Sequence, residues 1–245
     1  MNNLEKVSVI MSVYNSEKTI ENSINSILNQ TYNNIEFLIV DDSSTDETFK
    51  KLKLYSKVSN IKIFQNQENI GLTKSLNLLI TKATGNYIAR QDADDFSHKD
   101  RIKIQINKMI EKNIDFSTTR AEILNSQKVI PNISFYFPKL FLKFKNPFIH
   151  GSLIIKKDVL IKNGLYDERF YFAQDYKLMF DLINKGYKHK ILKDVLYKLN
   201  SENNISSNFS DEQKYFADCV RKNKEPKLYQ NCLLYTSPSP RDRIS

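Results

Sequence analysis

Apolar and polar positions in this chain alternate between two rhythms. Val7 to Val13 is a near-continuous run of β-forming residues, which suits a strand covered on both faces of a parallel sheet. Ile20, Ile24, Ile27 and Leu28 then fall at i, i+4, i+7 and i+8, predicting a helix with one apolar stripe and with Asn15 or Ser16 as its cap. Residues 35–40 form a second buried run that leads straight into Asp41-Asp42-Ser43-Ser44-Thr45-Asp46, and Ser44 and Glu47 have capping-box spacing for a helix carrying Phe49, Leu52 and Tyr55. A third short strand is expected over 61–64, a third helix on the stripe Leu72, Leu76, Leu79 and Ile80, closing near Gly85, and a fourth strand over 87–91. Such a β-α-β-α-β-α-β order predicts an α/β fold, a Rossmann-like, largely parallel central sheet flanked by helices, whose ligands gather at the C-terminal ends of the strands. The polar clusters after Val13, Val40 and Arg90 lie at such ends.

Beyond Asp95 the rhythm loosens. Ile102, Ile106, Met109 and Ile110 share a face of a helix expected over 100–112, and 116–119 reads as a strand. Residues 130–148 hold Pro131, Pro138 and Pro147 among many phenylalanines and tyrosines, more than a simple core segment needs; a lid or acceptor surface and a buried satellite cluster are the two readings. A strand over 153–155, a helix ending at Asn163-Gly164 and a helix over 175–184, stopped by Gly186, complete the pattern. The last stretch, 232–245, has no apolar periodicity, and its Ser-Pro-Ser-Pro-Arg-Asp run looks like translated adapter sequence, so it is set aside from fold reasoning as a non-native tail.

With 245 residues, 40% of them hydrophobic, the chain can bury one full α/β core but not two unrelated large domains. Its longest apolar runs are strand-sized, far short of the roughly 20 residues that span a bilayer, and no secretory signal opens it, so the expected location is the cytoplasm, with peripheral attachment at the inner face of the plasma membrane. The two cysteines, Cys219 and Cys232, have no partner at metal-ligand spacing, which argues against both a disulfide framework and a zinc site. A net charge of +9 is compatible with nucleic acid, an anionic membrane or a phosphorylated substrate, but the lysines are scattered and no basic stripe with interleaved aromatics marks a nucleic-acid binder.

Chemistry concentrates in Tyr87-Ile-Ala-Arg-Gln-Asp-Ala-Asp-Asp95. Because side chains alternate along an extended segment, Asp92 and Asp94 leave the strand end on the same side, where two carboxylates suit a hard divalent cation that keeps waters and bridges to diphosphate oxygens. The bland reading is a solvated acidic turn with Asp95 as a helix cap. Asp41 and Asp42 form a second acidic pair at a second strand end, placed either to accept from a ribose hydroxyl or base N–H or to cap the next helix. The five glycines stand singly, so neither a dinucleotide fingerprint nor a P-loop is present.

Val-Ser-Val-Ile-Met-Ser-Val-Tyr-Asn (7–15), Ser-Ile-Leu-Asn-Gln-Thr-Tyr (26–32), the Val-Asp-Asp-Ser-Ser-Thr-Asp run ending at Asp46, Asn69-Ile-Gly71, Gly85-Asn-Tyr-Ile-Ala and Asp92-Ala-Asp-Asp95 occur in an order that resembles the family 2 inverting nucleotide-sugar glycosyltransferases, over about residues 4–200. The resemblance implies a GT-A-type fold, with a nucleotide-sugar half (4–100) followed by an acceptor half (101–200) and a C-terminal extension over 201–231. It further implies that Ser12 and Tyr14 flank the nucleotide base, that Asp41 or Asp42 bonds base or ribose, that Lys74 approaches the nucleotide, that Asp92 contacts the ribose and that Asp94, in a DXD motif, meets Mn2+ or Mg2+ on the diphosphate. Gln174-Asp175, after Gly164-Leu-Tyr-Asp-Glu-Arg-Phe170, matches the family's base-bearing pair, so Asp175 is the implied catalytic base, with Gln174 and His150 supporting the acceptor. Read without the resemblance, Asp175 is an acid favoured at a helix start by the dipole. The implied partners are a nucleotide-sugar donor, UDP-linked for preference, and a carbohydrate or lipid-linked acceptor in cell-surface polysaccharide synthesis; nucleic acid is not among them. One departure stands out: Tyr197-Lys-Leu-Asn200 ends in Asn where relatives commonly carry His. A silent sugar-nucleotide binder and a metal-dependent nucleotidyltransferase are the competing readings, the second disfavoured because Tyr14-Asn-Ser-Glu-Lys18 is not a Gly-rich phosphate loop.

Overall fold

A computed structural model describes residues 4–200 and 209–227. Four strands, β1 (Val7–Val13), β2 (Ile35–Asp41), β3 (Ile61–Gln65) and β4 (Tyr87–Arg90), pair in parallel in the order β3-β2-β1-β4. Their crossovers are α1 (Ile20–Leu28), α2 (Thr48–Lys53) and α3 (Leu72–Lys82), so the β-α-β-α-β-α-β rhythm expected from the sequence is the rhythm found. Period-2 alternation in β1 sorts its side chains: Val7, Val9, Met11 and Val13 pack with α1, α2 and α4 (Arg101–Glu111) on one face, while Ile10 joins the cluster built on α3 across the sheet.

Past β4 the sheet continues with mixed polarity. Among the described residues β5 is Phe96–Ser97, β6 Phe116–Ile123, β7 Val129–Ile130, β8 Ile154–Lys156 and β9 His189–Leu199. The order runs β4-β8-β6-β9-β5, with β8 antiparallel to both β4 and β6 and β9 parallel to β6. Helices α6 (Lys157–Asn163), α7 (Gln174–Asn184) and α8 (Ser210–Arg221) add to the α3 face. Gly164 ends α6 in the left-handed region at φ 95°, as its position after the helix predicts.

Several local readings are corrected. Neither Asn15 nor Ser16 caps α1 with its side chain; Asn15 Oδ1 accepts from the Thr45 amide at 2.9 Å, and Ser16 contributes only its carbonyl, to Thr19 and Ile20. The Ser44–Glu47 capping box does not form, because Ser44 Oγ accepts from the Asn15 amide at 3.0 Å and α2 starts later, at Thr48. Both helix-start motifs are used instead to lace the loop after β1 to the loop after β2. Ile110 is exposed rather than on the buried stripe of α4, which is Ile102, Ile106 and Met109. Between 130 and 148 the chain buries Leu142 and Phe148 but leaves Ile133, Tyr136, Phe137, Leu140 and Phe144 exposed, on a 3-10 turn and a short helix α5 (Pro138–Phe141) with proline in its first turn. The strands β5 and β9 and helix α8 are not anticipated by the sequence pattern. The suggested tail at 232–245 and much of the extension at 201–231 lie outside the described residues.

At the opposite end of the sheet from the ligand edge, Glu36 knits β2 to β1 and to the turn before β4. Its Oε1 accepts from Ser8 Oγ at 2.5 Å, the Thr84 amide at 2.6 Å and Thr84 Oγ1 at 2.9 Å, with Lys6 Nζ 3.4 Å from Oε2. Burial pushes the Glu36 carboxyl up, but the hydrogen bonds from Ser8 and Thr84 outweigh it and bring its pKa down to about 2. A folded pKa below the unfolded one contributes stability that is present above pH 4.5 and is lost as pH falls towards 2. We therefore expect the melting temperature to drop between pH 5 and pH 2 in the wild type and to drop less steeply in Glu36→Gln, measured by thermal denaturation across that range; parallel curves would contradict this role.

Candidate active site

The C-terminal ends of β2, β1 and β4 lie side by side, since Val13 pairs with Asp41 and Ile10 with Arg90. Asp41 and Asp42 are both buried, yet they are placed very differently. Asp42 is saturated: Oδ1 accepts from Asn66 Nδ2 at 2.7 Å and the Ile70 amide at 3.0 Å, and Oδ2 from the Gly71 amide at 2.8 Å. It fastens the 66–71 loop, where Gly71 has φ 85° and stands against the Tyr171 ring, so that an added Cβ would meet the Tyr171 hydroxyl at 3.0 Å. Asp41 accepts at Oδ2 from Gln65 Nε2 at 3.2 Å and the Ser44 amide at 3.3 Å, while its buried Oδ1 has no partner within the protein. A buried acceptor left this way is costly unless a ligand donor meets it. Ser12 and Tyr14 are half-buried at the adjoining end of β1, and Lys74 is exposed on the first turn of α3.

β4 ends at Arg90, and 92–95 is a turn. The expectation that extended-chain alternation puts Asp92 and Asp94 on one side therefore does not hold, although the turn brings the two carboxylates close enough to interact. Burial, with the Asp92 charge adding to it, raises the Asp94 pKa to about 6. Asp92 is paired with the buried guanidinium of Arg90, which also donates to the Ile10 and Gln91 carbonyls at 3.3 Å. A second buried guanidinium, Arg101, donates to the Arg90 carbonyl at 3.0 Å and to Ser97 Oγ at 2.7 Å, and stacks over the Tyr197 ring. Asp95 turns inward and accepts from the Asn200 backbone amide at 2.8 Å, so Asn200 sits beside the acidic turn. Burial first, then Asp92 and Asp94, push the Asp95 pKa well above the ordinary carboxylate range.

Gly151 closes this corner. A Cβ there would sit 2.6 Å from Asp92 Oδ2 and closer still to the Tyr197 hydroxyl, which accepts from the Asp92 amide at 3.2 Å. Its neighbour His150 bonds the Tyr166 hydroxyl through Nε2 at 2.8 Å. Burial, reinforced by the positive charge of Arg90, lowers the His150 pKa to about 4, so the ring is neutral at ordinary pH; Asp175 and Asp92 act on it in the opposite sense. That shared field puts Asp92, His150 and Asp175, distant in sequence, in one electrostatic neighbourhood. Asp175 lies in the first turn of α7, after Ala173 at φ 54°, and its Oδ2 accepts from Asn146 Nδ2 at 2.7 Å. Gln174, half-buried, opens the helix.

The sequence profile described as Glycosyl transferase family 2 matches residues 8–170, which takes in β1, both acidic strand ends and the His150 corner. The chain belongs to that family. Among relatives of this family 2 glycosyltransferase is the Escherichia coli UDP-Glc:alpha-D-GlcNAc-diphosphoundecaprenol beta-1,3-glucosyltransferase WfgD, 33% identical over 215 residues, covering 85% of this chain and 82% of that protein. The Escherichia coli O-antigen biosynthesis glycosyltransferase WbnJ is 34% identical over 189 residues, covering 74% and 73%. The fold is shared with S. aureus TarS 1-349 in complex with UDP-GlcNAc, at a TM-score of 0.72 and 22% identity over 91% of this chain and 68% of that one. It is shared too with the mannosyltransferase PcManGT from Pyrobaculum calidifontis, solved with GDP-Man and Mn2+, at a TM-score of 0.71 and 19% identity over 92% and 67%. The chain is thus a glycosyltransferase with a GT-A-type α/β fold, and its relatives include enzymes of O-antigen assembly.

Among the described residues no group of three or more His, Cys, Asp or Glu side chains converges as a protein-only metal cage. The acidic turn offers the carboxylates of Asp92 and Asp94, which interact electrostatically, and carboxylate oxygens are the donor type that hard divalent cations take. The members of this site that sequence reasoning passed over are Arg90, Arg101, Tyr197, Gly151, Tyr166 and Asn146. Arg90 had a readable signal, a charge at the end of an otherwise apolar strand run; the others depend on contacts across more than twenty positions or on packing.

Because Gly151 has no room for a methyl group, Gly151→Ala must displace Asp92 or Tyr197. A shift of about 1 Å at a positioned group costs on the order of 100-fold in rate. We expect transferase activity to fall on that scale, with a modest drop in melting temperature from the overpacking, typically about 1–3 kcal/mol, and activity within a few fold of wild type would show that Asp92 tolerates displacement.

Proposed function

We propose that this glycosyltransferase moves a sugar from a nucleotide-diphosphate donor, a UDP-sugar, to a hydroxyl of a lipid-linked or carbohydrate acceptor with inversion at the anomeric carbon, in the assembly of a cell-surface polysaccharide or glycan. The observation that carries this reading is the placement of three separate acid groups, Asp41, the Asp92–Asp94 turn and Asp175, around the ligand edge of the sheet, each in a different state of occupancy. The names of WfgD, a UDP-glucose enzyme for a diphosphoundecaprenol-linked acceptor, and of the TarS complex with UDP-GlcNAc favour a uridine donor.

In this reading Asp41 Oδ1 accepts the base N–H, with Ser12 and Tyr14 beside the ring, and Asp42 supports the nucleotide indirectly by holding the 66–71 loop. Lys74 reaches towards the nucleotide from α3. Asp92, held by Arg90, meets the ribose, and Asp94 would hold Mn2+ or Mg2+, which would supply charge stabilisation for the diphosphate leaving group. The acceptor oxygen attacks the anomeric carbon from the face opposite the diphosphate. As that bond forms, the bond to the diphosphate breaks and its electron pair leaves with the nucleotide, while the acceptor proton passes to Asp175. Asn146 fixes one Asp175 oxygen and leaves the other for the proton, and neutral His150 with Gln174 orients the acceptor as hydrogen-bonding partners.

Two measurements test this. Calorimetry is expected to show UDP binding in Mn2+ that is lost in chelator, lost in Asp94→Ala and weakened through the nucleoside portion in Asp92→Ala; equal affinity with and without metal would overturn the metal role. Asp175→Asn is expected to keep UDP affinity and lose a factor of roughly 10² to 10⁴ in transfer rate, the range for removing a general base. That loss is far above what a helix-dipole contact of at most about 1 kcal/mol explains, and transfer close to wild type in this variant would remove Asp175 from the role.

A further inference from the structure

Between Glu122 and Asp158 the chain carries no acidic side chain, whereas Lys128, Lys139, Lys143, Lys145, Lys156 and Lys157 all lie within that stretch. Its central part is also where large apolar groups face solvent: Ile133, Tyr136, Phe137, Leu140 and Phe144 are each between 56% and 71% exposed. Lys139, Lys143 and Lys145 are exposed among them. From the adjoining end of α8, Arg221 donates to the Phe144 carbonyl at 3.2 Å, which places the exposed Lys222 and Lys224 beside the same face, with Asp218 offsetting part of that charge.

An apolar cluster of this kind on a soluble surface marks an interaction site. The cluster has tips rather than a groove, since α5 has only four residues, and its Leu140, with Phe137 before it and Phe144 after it, is exposed around a short turn. Protruding aromatic and aliphatic side chains rimmed by lysine suit the boundary of a bilayer, where rings enter the headgroup region and ammonium groups meet anionic phosphates. We propose that the face formed by 133–145 docks this protein on an anionic lipid bilayer.

The same segment leads directly into the site. Asn146 follows the docking face and holds Asp175, and the Leu142 carbonyl accepts from the Tyr176 hydroxyl on the first turn of α7. Docking would therefore set the height of the acceptor side of the site above the headgroups, which suits an acceptor carried on a lipid. That link rests on the role proposed for Asp175; the docking itself does not.

The test is co-sedimentation of the full chain with phosphatidylcholine vesicles, with and without phosphatidylglycerol, at low and high salt. UDP affinity is measured on the same preparations. We expect binding only to the anionic vesicles, weakened by salt. Each lysine near such a surface is worth roughly fivefold in partition, so Lys139→Glu with Lys143→Glu should lower binding more than tenfold; Leu140→Ser with Phe144→Ser should lower it as well, and both pairs should keep UDP affinity. Hydrogen exchange of the wild-type chain locates the contact without substitution, and vesicle-induced protection is expected at 133–145. Absence of binding to anionic vesicles, binding that both pairs leave intact, or protection confined to another region would each overturn the proposal. So would a wild-type dimer that does not bind vesicles and that Leu140→Ser with Phe144→Ser converts to monomer. Loss of UDP affinity with vesicle binding intact would count against the donor reading alone.

Discussion

The guanidinium of Arg90 lies at the end of an interior strand, is 1% exposed, and belongs to a side chain that keeps its proton in proteins, so its charge must be answered from inside. Asp92 answers it, with the Ile10 and Gln91 carbonyls taking further N–H groups. Much of the site's layout follows from that pairing. It holds the start of the acidic turn against the sheet, beside Asp94, whose carboxyl pKa burial and then the Asp92 carboxylate raise to about 6. The positive field also helps keep His150 neutral and therefore a hydrogen-bonding group. Arg101 props the arrangement from behind through the Arg90 carbonyl and the face of Tyr197. Removing Asp92 would strand the buried Arg90 guanidinium without its carboxylate, so this corner is a structural anchor of the acidic turn.

The first half of the chain was legible because its code is local. β1 and β2 are continuous β-forming runs, α1 and α3 have clean apolar stripes, and each strand ends in a polar cluster. The second half was harder to read for physical reasons. β9, His-Lys-Ile-Leu-Lys-Asp-Val-Leu-Tyr-Lys-Leu, mixes buried Ile191, Leu192, Leu196 and Tyr197 with lysines across an irregular register against β6, so neither period 2 nor a continuous apolar run describes it. β5 is two residues long and exists through its pairing with β9.

Site residues divide along the same line. Asp92, Asp94 and Asp175 could be named from motif and resemblance, and the structure adds what no motif contains. Of the adjacent pair Asp41 and Asp42, one is consumed by a loop and the other keeps an open oxygen, a distinction made by Asn66, Ile70 and Gly71 some twenty-five positions downstream. Capping signals misled at Ser44 and Asn15 because side chains suited to a helix start are equally suited to bridging two loops, and here the bridge is formed.

The bond that the Asn200 backbone amide donates to Asp95 joins the acidic turn to the residue following β9. Together with the Tyr197 hydroxyl on the Asp92 amide, it fastens the acidic turn at two points to a strand from the other half of the chain. The two halves are therefore not hinged at this corner. An element that tugs on the end of β9, or a neighbour that displaces it, would shift the acidic turn, so the position of Asp92 and Asp95 answers to residues 105 positions away along the chain.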